Sequence, residues 1–168
     1  MSAVQCALEK HTPGQPICLD FDEIEALGGS ALRHLIQGIK AHSSCCGSAV
    51  VLANLDEDGL AEADLVAEAM RSPFIAAEVS DGGITRAVVR GPLDDKVSKT
   101  LSLVLDAGEA DAQAISQLSN ESGVVTVWNN RLVTLHSMGL LSERKVGKRK
   151  LYSPVIEGLR YGDGFHSQ

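Results

Sequence analysis

Apolar positions along the chain change their period several times, and each change predicts an element. "QPICLDF" (residues 15–21) is a short apolar run behind proline and glycine, the mark of a buried strand. In "SALRHLIQGIKAH" (30–42), Leu32, Leu35, Ile36 and Ile39 recur at steps of three and four. That spacing puts them on one face of a helix, with Ser30 placed to cap its start. "SAVVLANL" (48–55) is β-branched and apolar without alternation, as in a strand covered on both faces. "EADLVAEAM" (62–70) returns to helical spacing and is stopped by Pro73. "FIAAEVS" and "ITRAVVRG" then flank "DGG" and predict a hairpin with a glycine-dependent turn. Strand, helix, strand, helix and hairpin in that order predict an α/β layer of sheet against helices.

"GPLDD" (91–95) carries the turn signals of a boundary, and three helices are expected beyond it. "DKVSKTLSLVLDAG" (95–108) is amphipathic through Val97, Leu101, Val104 and Leu105 and ends at Gly108. "ADAQAISQLSN" (110–120) follows, and then "TVWNNRLVTLHSMG" (126–139), with Thr126 near its start and Gly139 at its end. "LLSERKV", "GK" and "RKLYSP" make a tight β-ribbon with Gly147 in the turn. These boundaries divide the chain into an α/β unit over 1–93, a three-helix and ribbon unit over 94–158, and a tail over 159–168.

Charge follows the same division. The net charge is −7, yet residues 1–95 hold 6 Lys and Arg against 15 Asp and Glu, while residues 96–168 hold 9 against 7. Such asymmetry suggests two modules with different partners. Five of the fifteen basic residues, Arg144, Lys145, Lys148, Arg149 and Lys150, fall around the turn of the ribbon. A compact basic hairpin gives affinity for phosphate backbones through counterion release. A solvated ribbon, or contact with a membrane or an acidic protein, would use the same cations.

On the third helix, Trp128, Leu132 and Leu135 lie at i, i+4 and i+7 and form a core face. Trp128 is accordingly a packing residue rather than a platform for bases. Thr126, Val127, Asn129, Asn130 and Arg131 are left to face outward. Asparagine pairs bidentately with adenine, arginine with guanine, and threonine reaches a phosphate or a thymine methyl. A recognition helix reads bases with its N-terminal turns, where these residues cluster. Ordinary helix surfaces hold the same residue types, so the ribbon beside them carries much of the argument.

"ISQLSNESGVVTVWNNRLVTLHSMGLLSERKVGKRKLYSP" resembles the winged helix-turn-helix domains of bacterial regulators. The resemblance rests on "NRL..L...GLL", a basic wing and a return strand containing tyrosine, and covers about residues 96–156. It implies a recognition helix at about 126–138 in the major groove of double-stranded DNA and a wing at 142–152 on phosphates. "ICLDFDEIEALGGSALRHLI" resembles the STAS domains, named from sulphate transporters and anti-sigma-factor antagonists. Leu19 and Asp20 match the end of their first strand, Ile24 and Leu27 the apolar pair, and Leu32 the helix leucine. "SAVVLANLDEDGL" extends the similarity to about residue 71. That resemblance leaves a protein partner, dimerisation or ligand sensing open to this half and makes Ser30 a candidate phosphorylation position. Gly28, Gly29 and Ala31 depart from the motif's Asp-Ser-Ser-Gly, which favours a plain helix cap at Ser30.

Other chemistries find little support. "HSSCC" (His42, Cys45, Cys46) lacks a second pair at zinc-ligand spacing, and Cys18 reads as a small core residue. No metal or cofactor is expected. No phosphate-binding loop, nucleophile elbow or HExxH is present, and the five histidines are scattered, so an enzyme is not expected. No apolar run approaches the roughly 18 residues that span a bilayer, and no signal-peptide pattern opens the chain. The expectation is a cytoplasmic, sequence-specific DNA-binding regulator without membrane contact. Its first unit would serve dimerisation or signal input, since paired half-sites call for a homodimer. The competing expectation is an interaction protein whose winged helix docks without binding DNA.

Overall fold

The chain forms an α/β protein with five helices among the described residues, which are 16–24, 27–46, 48–81, 83–119 and 124–162 of the computed structural model. Strand β1 (Ile17–Asp20) leads through helix α1 (Gly29–Cys46) to β2 (Val50–Ala53). Helix α2 (Glu57–Met70) then leads to β3 (Phe74–Ser80), and a hairpin brings back β4 (Gly83–Arg90). Strands β1, β2 and β3 are parallel in register Ile17–Val50 and Val51–Ile75, and β4 runs antiparallel to β3. All four residues of β2 are buried, as its unbroken apolar sequence requires.

Both crossovers step in the same direction across the sheet, which places α1 and α2 on one side of it. Leu32, Ile36 and Ile39 of α1 and Ala63, Val66 and Ala67 of α2 pack there on Val50, Leu52, Phe74 and Ala76. Asp56 caps α2 by accepting from Gly59 N at 2.7 Å. Period-two alternation turns Val51, Ile75, Ala77, Ala87 and Val89 to the opposite side. With no crossover helix there, that face needs another cover.

Helices α3 (Asp95–Ala107), α4 (Ala112–Leu118) and α5 (Val125–Ser137) supply it. Leu101, Val104, Ile115, Trp128, Leu132 and Leu135 share one continuous apolar cluster with the sheet residues just named. The ribbon, β5 (Leu141–Val146) and β6 (Arg149–Pro154), follows α5, and β7 (Arg160–Tyr161) then adds parallel to β4. Because β4 and β7 are parallel neighbours, everything from α3 to β6 is the crossover between them. Ala110 exchanges two backbone hydrogen bonds of 2.9 Å with Tyr152, so the stretch between α3 and α4 adds a third, one-residue strand to the ribbon.

Several expectations change here. The tail expected from residue 159 begins instead with buried Leu159 and the sheet strand β7, while 163–168 lie outside the described residues. Ser30 does not cap α1: the carbonyl of Gly28 accepts the first helical bonds, from Ala31 and Leu32, and Ser30 is exposed in the first turn. Cys18 is an exposed free thiol, because β1 is the edge strand and Cys18 lies outside the cluster under α3–α5. The side chains of Cys45 and Cys46 lie outside the described residues. Among the described residues, no group of His, Cys, Asp and Glu is arranged to hold a metal, and no helix is long and apolar enough to cross a membrane.

Gly139 fixes how α5 meets α1. Its φ is +73°, which ends α5 with Leu140 N bonding back to Leu135 O at 3.1 Å. A Cβ at this position would lie 2.6 Å from Ser43 Oγ, and Ser43 is itself held to Ser48 O at 3.2 Å. Left-handed strain and overpacking then add, so Gly139→Ala should cost about 2–5 kcal/mol in denaturant unfolding. The shared cluster further predicts that fluorescence of Trp128, the single tryptophan, and far-ultraviolet circular dichroism report one coincident transition. Two separated transitions would contradict it.

Candidate functional site

Helix α5 begins at Val125, one residue ahead of the expected start at Thr126, and its N-cap residue, Val124, offers no side-chain hydrogen bond. Trp128, Leu132 and Leu135 are buried as their spacing requires. With 3.6 residues per turn, Thr126, Asn130, Val133 and Ser137 form the opposite ridge, flanked by Val127 and Thr134. Thr126, Val127, Asn130 and Val133 are exposed, and Val124 is 71% exposed at the entrance. Asn129 and Arg131 are different: both are half-buried at the margins of this face. The Arg131 guanidinium lies over the Trp128 ring, 4.4 Å from its centroid. Arg131 therefore caps the core tryptophan instead of reaching outward, at a stabilisation of about 0.5–2 kcal/mol.

The ribbon's cations are not a bare cluster. Across the hairpin, Lys145 stands directly opposite Lys150 and Glu143 opposite Tyr152. Like charges so placed repel, and Glu143 relieves this by accepting from Lys150 Nζ at 2.9 Å. On the other face, Arg144 makes a fork with Glu109, its Nη2 lying 2.9 and 2.7 Å from the two carboxylate oxygens. Arg149 lies 3.8 Å from Asp111, whose other oxygen caps α4 at Ala114 N. Glu109 and Asp111 flank Ala110, so its pairing with Tyr152 turns both toward the arginine face. Three of the five wing cations thus have carboxylate partners, while Lys145 and Lys148 make no ion pair among the described residues. Exposed pairs of this kind contribute only about 0.2–1 kcal/mol, so they weaken the ribbon's attraction for anions without abolishing it.

At the root of the ribbon, Tyr152 donates from its hydroxyl to Glu143 at 3.1 Å, and His136 Nδ1 meets Leu141 O at 2.8 Å. The rings of His136 and Tyr152 lie edge-to-face at 6.4 Å. These contacts tie the end of α5 to the ribbon and fix their relative position. The Lys150 hydrogen bond leads in holding Glu143 below the ordinary carboxylate range, against a burial cost, with Tyr152 adding to it. Burial, then the bond to Glu143, pushes Tyr152 up to about 12.

A concavity of about 850 Å³ lies between α2 and the β4–β7 edge, where Leu65 is exposed. Arg90 Nε donates to Asp64 there at 2.9 Å, so its principal charge is already answered within the groove. At the carboxyl end of the parallel strands, Asn54 adopts φ +55° and ties β1 to β3. It donates to Asp20 at 2.9 Å and accepts from Val79 N at 2.9 Å. Glu57 and Glu68 also line the groove at Arg90, so its wall is acidic, whereas the ribbon tip is basic. Ser30, the remaining candidate, sits on the far layer in α1, apart from this face.

No protein-family model matches the chain, and no curated protein is significantly similar to it.

The pair at the root of the ribbon generates a pH prediction. A folded value raised from 10.0 to about 12 means Tyr152 stabilises the fold fully below pH 10 and loses that contribution as pH rises toward about 12. Tyr152→Phe has no hydroxyl to ionise and should lose less stability over that window, read as denaturant midpoints against pH. Equal losses in both proteins would show that Tyr152 does not carry the effect.

Proposed function

We propose that the chain is a sequence-specific DNA-binding regulator, with residues 94–158 as its winged helix-turn-helix unit and the STAS-like α/β unit serving assembly or signal input. The observation that carries this reading is the pairing of an exposed, uncapped α5 entrance with a ribbon tip whose Lys145 and Lys148 make no ion pair among the described residues. The order of elements supports it too: helix, one-residue strand at Ala110, two helices and a hairpin make the framework of a winged helix. In this reading α5 enters the major groove of double-stranded DNA and the ribbon rests on phosphates. Uncapped amide groups at the start of α5 add a partial positive charge there. A homodimer would present two such units to paired half-sites.

The pairing of Arg144, Arg149 and Lys150 with carboxylates is the observation that favours the other reading, a docking module for a protein partner. Salt separates the two. Fluorescence anisotropy of the full chain with a mixed-sequence duplex should show affinity falling steeply as salt rises. Lys145→Ala with Lys148→Ala should flatten the log–log slope by about two. Absence of binding at low salt, or a slope unmoved by the double variant, would favour docking.

A further inference from the structure

We infer that the α5 face reads an A·T-centred half-site through thymine methyl groups and one adenine, and does not read guanine. This deepens the DNA-binding proposal and rests on it. Four observations lead there. The exposed side chains of α5 are apolar or uncharged: Val125, Thr126, Val127, Asn130, Val133 and Ser137. Arg131 is the only Lys or Arg in the helix, and its guanidinium is engaged over Trp128 at 4.4 Å. The remaining basic side chain, His136, is half-buried with Nδ1 at Leu141 O. Thr134 donates its hydroxyl back to Asn130 O at 2.9 Å, which removes that donor from outward use.

Guanine is read mainly by an arginine or lysine fork on O6 and N7, and no exposed side chain of this helix supplies one. Adenine N6 and N7 match the amide of Asn130, which lies at the centre of the outward ridge. The apolar surface around it suits the C5-methyl of thymine, which only the major groove displays. Charge complementarity supports a nucleic-acid occupant for this apolar face, because Lys145 and Lys148 sit on the adjoining ribbon without ion pairs among the described residues.

The test is selection of duplexes from a randomised pool by the full chain at low salt, followed by replacing the selected thymines with deoxyuridine. An A·T-centred site is expected, with affinity falling about fourfold for each buried methyl removed. Asn130→Ala should weaken discrimination at one adenine by roughly 5- to 150-fold, read as the ratio of affinities for the selected duplex and one with that base pair exchanged. Selection of a G·C-centred site, or an A·T site indifferent to deoxyuridine, would overturn the inference and leave DNA binding standing. A minor-groove reader would give that second result, since the methyl is absent from that groove. Failure to retain any duplex would overturn the DNA-binding reading itself, and the inference with it.

Discussion

A sheet whose two crossover helices fall on the same side has a bare apolar face, and covering that face is the constraint on which the structure depends. Val51, Ile75, Ala77, Ala87 and Val89 are apolar on the uncovered side, and α3, α4 and α5 exist in this chain as their lid. Trp128, Leu132 and Leu135 therefore belong to a core that the sheet helps to build. Large-to-small changes at such positions cost about 2–5 kcal/mol, a large part of the total stability of a domain. The same burial fixes which side of α5 remains for contact with another molecule.

That arrangement links the two halves mechanically. The strands β4 and β7 bracket the crossover, and Gly139 lets the end of α5 close on Ser43 in α1. A change in α1 meets the base of the outward-facing helix at that contact. Ser30 lies near the opposite end of α1, in its first turn, so a signal there would have the length of the helix to travel. Asn54 and the Arg90–Asp64 pair brace the sheet through side-chain hydrogen bonds. The first half keeps an excess of carboxylates, Glu57 and Asp58 exposed among them, while the ribbon tip keeps Lys145 and Lys148 without ion pairs among the described residues.

Much of this was legible in the sequence because it is local. The periods of "SALRHLIQGIKAH" and "TVWNNRLVTLHSMG", the apolar run around Val51, and the glycines at 108, 139 and 147 placed their elements within a few residues. The two-residue strand β7 was not legible, since Arg160 and Tyr161 pair with β4 only after the crossover of residues 91–159 closes, and so short a strand shows no period. At the site, the core face of α5 and the positions of the five cations followed from spacing. The occupation of Arg131 by Trp128, and of Arg144 and Arg149 by Glu109 and Asp111, did not. Those arginine pairings span about thirty-five residues and arise because Ala110 pairs with Tyr152. The one available signal was the acidic pair of Glu109 and Asp111 at alternate positions just ahead of α4.

In the proposed function, α5 and the ribbon tip together form a surface for duplex DNA. Amide chemical-shift mapping of the full chain during titration with a duplex at low salt tests it most directly. Perturbations are expected to concentrate at Val124–Arg131 and Lys145–Lys150, with the α1–α2 layer little changed. Perturbations centred on α2 and the Arg90 edge, or none at any residue, would contradict it.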